Sequence, residues 1–146
     1  MPQAVLRPLL VLSVLAFVLS LGFEAFSVAD GGTFAGWQCL AFGWWGMTTG
    51  CYAWLANPLL FASWATCGAG VRLAAAITAF LSAALMLSFL EVRTLSTSAS
   101  GVRIGIAHMG AGFWLWFASS VLAFCAAMRG VASTAKASSS SNEDGA

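Results

Sequence analysis

From Gly31 to Val71 the chain carries no Asp, Glu, Lys or Arg. Three further apolar runs flank this stretch, at Pro8–Phe23, Leu73–Leu90 and Ile104–Met128. A charged side chain at the centre of a bilayer costs about 2.5–3.5 kcal/mol on insertion scales, so membrane segments exclude charge in this pattern. Only 8% of the 146 residues are charged, too few to cover a water-facing surface. At about 20 residues per span the length admits three to five spans and no separate soluble domain. The chain therefore reads as all-α, a polytopic membrane protein forming a compact bundle of four transmembrane helices.

The spans fall at about 8–26, 46–66, 72–90 and 104–128. The first also carries the parts of a secretory signal: Arg7, an apolar core from Leu9, and Ser27-Val28-Ala29 as a small-x-small site. The core is long for a signal and Glu24 interrupts it, so a retained helix is the favoured reading of residues 1–29. The second span lies within a Gly-rich apolar stretch that is a poor helix former at its start. An interfacial or partly re-entrant entry is expected over Phe34–Trp45. Asn57-Pro58 then falls mid-helix, where Pro58 predicts a kink whose freed carbonyls the Asn57 amide or a neighbouring helix would serve. A Cys67-Gly-Ala-Gly70 turn and a polar Glu91–Arg103 loop separate the later spans. The tail 129–146, with its Ser138–Ser141 run, reads as disordered and polar.

Four spans put Arg7, Arg72, Arg129 and Lys136 on one side and Arg93 and Arg103 on the other. The positive-inside bias then places both termini in the cytoplasm, in a bacterial inner (plasma) membrane.

Small residues mark the packing faces. Gly105, Gly112, Ser119 and Ala126 recur every seven residues in span four; Ala75, Ala79 and Ala83 form a ladder in span three; Gly46, Gly50, Ala53 and Asn57 share a face in span two. Such stripes let helix backbones approach closely in lipid. They serve internal packing or, in the alternative, self-association. His108 falls on the span-four stripe. It is either an interfacial side chain or a proton-handling or ligand-binding imidazole, paired with Asn57 or Glu24. Trp37, Trp44 and Trp45 read as an aromatic belt at the outer interface, and Trp64 at the inner one. Trp114 and Trp116 lie deeper, where a belt role outweighs the lining of a lipid or quinone pocket.

Of the cysteines Cys39, Cys51, Cys67 and Cys125, only Cys39 and Cys51 fall on the outer half. On one continuous helix they would be about 18 Å apart, so a disulfide requires Gly43–Gly50 to fold back. No C-x-x-C and no second His is present, so no metal site and no cofactor are expected. The external C-x-x-C of four-span thiol oxidoreductases is missing. The first outer loop is too short and apolar for the Trp and Cys arrangement of claudin-like proteins. A net charge of +1 gives no reason to expect a nucleic-acid partner.

The expected role is non-catalytic: a scaffold, assembly factor or accessory subunit, with the bilayer and a membrane-protein partner or a second copy as its contacts. One alternative is a small oligomeric transporter or channel lined by Asn57, Thr78, Ser82, His108 and Ser119. Another is an outer-leaflet lipid- or quinone-binding redox protein using Cys39 and Cys51. A weaker one is an immunity or regulatory factor that binds through its outer face.

Overall fold

The computed structural model describes residues 3–92, 94–96 and 103–143. It is mostly helical. Four helices pack side by side: α1 (Gln3–Gly22), α3 (Ala56–Gly68), α4 (Arg72–Ser88) and α5 (Ala111–Glu143). A short helix, α2 (Gly36–Phe42), and two 3-10 segments, Gly43–Thr49 and Ala53–Leu55, lie between α1 and α3. Ser13 meets Ser119, Ser63 meets Ala75 and Ser82 meets Ser120, so each helix runs antiparallel to its packed neighbour. α1 and α4 therefore end, and α3 and α5 begin, at the same end of the bundle.

That end carries a sheet that the sequence reading did not anticipate. β1 (Glu24–Val28), β2 (Thr33–Ala35), β3 (Thr94–Ser96) and β4 (Arg103–Met109) form an antiparallel sheet in the order β2-β1-β4-β3. The β1–β2 hairpin is set by Asp30-Gly31. Gly31 takes a left-handed φ of 89°, and Gly32 N–H donates to Asp30 Oδ1 at 3.1 Å. Asp-Gly is a strong short-range hairpin signal.

The packing has inverted polarity. Ser13, Ser20, Ser63, Ser82, Ser119, Ser120 and Asn57 are buried. Val11, Leu12, Leu15, Val18 and Leu19 of α1, Leu73, Ile77 and Phe80 of α4, and Trp114 and Val121 of α5 face outward. Each interior serine is hydrogen-bonded. Ser13 Oγ donates to Ser119 O at 2.8 Å, Ser63 Oγ to Ala75 O at 3.0 Å and Ser82 Oγ to Ala56 O at 2.8 Å. Ser20 Oγ donates to Phe17 O within its own helix, and Ser120 Oγ meets Ser82 Oγ at 3.0 Å. A small hydroxyl lets two backbones approach and then satisfies a carbonyl across the gap. Two segments, Arg72–Glu91 and Ala111–Ala132, are long and apolar enough to cross a membrane; Arg7–Gly22 is apolar but shorter.

Several expectations are corrected. Span one, expected over 8–26, gives way after Gly22 to strand β1. Span two, expected over 46–66, begins only at Ala56. The Gly-rich approach folds as 3-10 turns around Gly50, whose φ is 88°. Gly46, Gly50, Ala53 and Asn57 therefore lie on no common helix face. Pro58 sits in the first turn of α3, where a missing N–H costs no intrahelical bond, and no mid-helix kink forms. The carbonyl that an N–H at position 58 would have served is Trp54 O, and Asn57 Nδ2 donates to it at 3.1 Å. Span four, expected over 104–128, is strand β4 up to Met109, so Gly105 belongs to the sheet and not to a helical stripe. Ile104 to Met109 reads equally as strand or helix by hydropathy, and pairing with β1 decides it. The backbone of α5 continues to Glu143, where disorder was expected for 129–146. Once a helix is nucleated, adding the residues 131–143, which include no Pro and no Gly, is cheap. The side chain of Lys136, residue Arg93 and the end of the tail at 144–146 lie outside what the structure describes.

The remaining stripes hold. Gly112, Ser119 and Ala126 are buried on one face of α5, and Ala75 and Ala79 are buried on α4, with Ala83 half-buried.

Candidate functional site

The sheet brings together the one histidine and an acid. β1 pairs with β4 so that Ser27 is opposite His108. Ser27 Oγ lies 2.6 Å from His108 Nδ1. The register shifts between Glu24 and Phe26, a bulge-like irregularity that aims Glu24 at the same imidazole. Glu24 Oε1 is 3.4 Å from His108 Nε2, an ion-pair distance without hydrogen-bond geometry. Of the two acceptors weighed for His108, the structure supplies Glu24; Asn57 is engaged with Trp54 O elsewhere. Ser27, which the sequence marks only as part of a small-x-small site, is the third member.

A serine, a histidine and a carboxylate in line resemble the parts of a nucleophile relay, but the parts are differently arranged. A hydrolytic serine needs an open path to its oxygen and two free N–H groups for an oxyanion. Ser27 is buried in a central strand, and the next N–H, of Val28, donates to Gly32 O at 2.9 Å. The imidazole side chain is 67% exposed. The cluster is a cross-strand clip with one open face.

Behind the sheet lies a partly enclosed cavity of about 400 Å³, bounded by β1, β2, α2, the 3-10 segments and the cap-side ends of α4 and α5. Cys39 and Cys51 are both on its wall, because Gly43–Gly50 does fold back: Cys51 N–H donates to Gly46 O at 2.9 Å. They stand as free thiols. Burial pushes the Cys39 thiol up to about 12, since a thiolate there loses its hydration. A redox cysteine needs thiolate at neutral pH, and Cys39 has the opposite environment. Against an ordinary thiol near 8.5, it should hold roughly a thousandfold less thiolate at pH 7.5. In a chain keeping Cys39 alone, alkylation by a neutral maleimide should be correspondingly slow. Its rate should rise about tenfold per pH unit beyond pH 10, where an ordinary thiol has levelled off. Mass-shift assays across pH 7–11 read both.

Asn57, Thr78, Ser82, His108 and Ser119 do not converge. Thr78 Oγ1 donates to Ala74 O on its own helix at 2.8 Å, Ser82 and Ser119 are tied into separate helix contacts, and His108 is in the sheet. None of the five lines the cavity. Trp116 does, whereas Trp114 points outward. Trp37, Trp44 and Trp45 are exposed around the cap, in keeping with a belt, while Trp64 is turned into the bundle, its Nε1 donating to Ser13 Oγ at 2.9 Å. Among the described residues no group of three His, Cys, Asp or Glu side chains is placed to hold a metal ion. No protein-family model, curated protein or solved structure matches the chain.

Proposed function

We propose that the chain is a four-span membrane protein, with α1, α3, α4 and α5 as its spans, that acts as a non-catalytic scaffold or accessory subunit. The observation that carries this reading is the inverted polarity: hydrogen-bonded serines inside, a nearly continuous apolar exterior outside. In water such a surface would aggregate; in lipid it is the required one. α3 is the weak member, since its 13 residues reach only about 20 Å. The 3-10 turn Ala53–Leu55 extends it toward the cap. Both chain ends then lie on the side of Arg7, Arg72 and Arg129, the cytoplasmic one, with the sheet on the outer face. Cleavage after Ala29 would remove β1, the strand between β2 and β4, which favours a retained first span.

The hydrogen-bonded serines between the helices support a structural role over conduction. The outer cap, with exposed Trp37, Phe42, Trp44 and Tyr52, is the natural contact surface for a partner in the same membrane. The test is in-membrane crosslinking, purification in mild detergent and mass spectrometry. A stoichiometric partner, crosslinked through the cap, is expected. Recovery of the chain alone under all crosslinking conditions would sink the accessory role.

A further inference from the structure

The cavity behind the sheet is walled by rings. Phe26, Phe34, Trp45, Phe89, Phe113 and Trp116 all contribute. Phe26 and Phe34 stack at 4.9 Å, and Phe26 meets Phe89 at 5.5 Å, so one side of the wall is a continuous aromatic surface. Among the described residues no Asp, Glu, Lys, Arg or His lines it. The thiol of Cys39 stays neutral there. A charged guest would be left unpaired in an apolar site, which is strongly unfavourable. The volume of about 400 Å³ is in the lower part of the range for small-molecule sites.

One polar group of a lining residue is unserved. Trp116 is 7% exposed, and its indole Nε1 has no hydrogen-bond partner. Its ring packs edge-to-face on Phe17, which offers no oxygen or nitrogen acceptor. By contrast Trp54, in the same wall, donates to Leu40 O at 2.8 Å, and Trp64 to Ser13 Oγ at 2.9 Å. A buried donor without an acceptor costs free energy, and a guest carrying an acceptor removes that cost. Trp45, on the wall, and Phe42 beside it are also exposed, so the cavity adjoins the apolar exterior.

We propose that this cavity binds one uncharged, lipid-soluble molecule with a carbonyl-type oxygen, held between the aromatic rings and accepting a hydrogen bond from Trp116 Nε1. A quinone head group and the ester end of an uncharged acyl lipid share that chemistry. The inference is independent of any protein partner: a chain that purifies alone would still bind the probe.

The experiment uses the full chain in detergent and native mass spectrometry, with decylubiquinone as one probe and dioleoylglycerol as the other. A saturable one-to-one adduct is expected with at least one of them, and competition between them assigns the source. W116F should weaken it about fivefold, the loss of one neutral hydrogen bond. A53F, which places a ring in the cavity, should abolish it; C51F replaces A53F if the latter loses its monodisperse elution. No saturable adduct with either probe overturns the proposal. So do adducts that W116F and the filled variant leave at wild-type strength.

Discussion

Replacing Gly110 with Ala should detach the sheet from the bundle, at a cost of about 3 kcal/mol or more, the upper end of overpacking effects. The reason lies in the junction where α1 passes into β1. Gly36, Gly110 and Gly112 clasp the backbone of Ser20–Ala25 from two sides. A Cβ on Gly110 would sit on the Glu24 carbonyl oxygen, and one on Gly36 on the Ser20 carbonyl oxygen, both well inside van der Waals contact. On Gly112 it would lie 2.8 Å from the Phe23 and Glu24 carbonyl oxygens and 2.9 Å from that of Ser20. All of these are backbone atoms, so relief requires a helix or strand to move. The clasp is also hydrogen-bonded: Gly36 N–H donates to Phe23 O at 2.9 Å and Gly110 N–H to Ala25 O at 2.8 Å. None of the three has a positive φ, so the effect is steric and not conformational. Gly22→Ala and Gly68→Ala are the controls. Nothing lies within 4 Å of a Cβ at either, and each closes a helix in which Ala is the better former. They should be neutral or slightly stabilising in detergent thermal-survival assays in which G110A and G36A lose the folded peak. Equal behaviour of all four variants would refute the clasp.

Ser13→Leu should be about as damaging, and far worse than its hydrophobicity suggests. Ser13 is fully buried where α1, α3 and α5 meet. Its hydroxyl is saturated. It donates to Ser119 O at 2.8 Å and accepts from Trp64 Nε1 at 2.9 Å, leaving Ser119 Oγ, at 3.2 Å, to donate to it. Leucine strands the indole N–H and forces extra carbons between helices spaced for a hydroxyl. Those terms together come to about 2–6 kcal/mol. Ser13→Ala keeps the spacing and loses only the bonds, so about 1–2 kcal/mol is expected. Ser13→Val should fall between them. A series ordered instead by side-chain hydropathy, with leucine best, would show that the junction is held by lipid exclusion and not by close approach. Thermal survival of the detergent-purified variants, ranked against wild type, decides between the two.

The helical part of this architecture was legible because hydropathy and small-residue spacing speak directly to it. α4 begins at the expected Arg72, Gly112 and Ser119 face α1, and Ala126 is buried on the same stripe. The sheet was hidden for a physical reason. β4 abuts an apolar helix with only Gly110 between, so strand and helix merge into one hydrophobic run. Its strand character comes from a partner far away in the chain. Asp30-Gly31 did announce a hairpin, but a strand of three residues, Thr33–Ala35, has no periodicity to read. Asn57-Pro58 was legible in chemistry and not in place. The amide serves the carbonyl that proline leaves free, yet the break is where α3 starts and not where it bends. Glu24 was named as a partner of His108 because it is one of few acids; Ser27 was not, because the residue that pairs with it lies 81 positions away in the chain. The cavity was foreshadowed only by Trp116, Cys39 and Cys51, since its other walls come from several separate elements.

The central pairing of the sheet joins residues 81 apart, Ser27 with His108, and the first and last long helices are packed on each other through Ser13 and Ser119. Both closures therefore wait for the end of synthesis. While α3 and α4 are being made, the β1 edge of the hairpin and the serine face of α1 are bare; β4 then covers the first and α5 the second. Assembly of this chain is thus all-or-none with respect to its final third. A ribosome that stalls after α4 releases a product whose β1 edge is open to any other extended chain, whereas in the finished protein β4 occupies that edge.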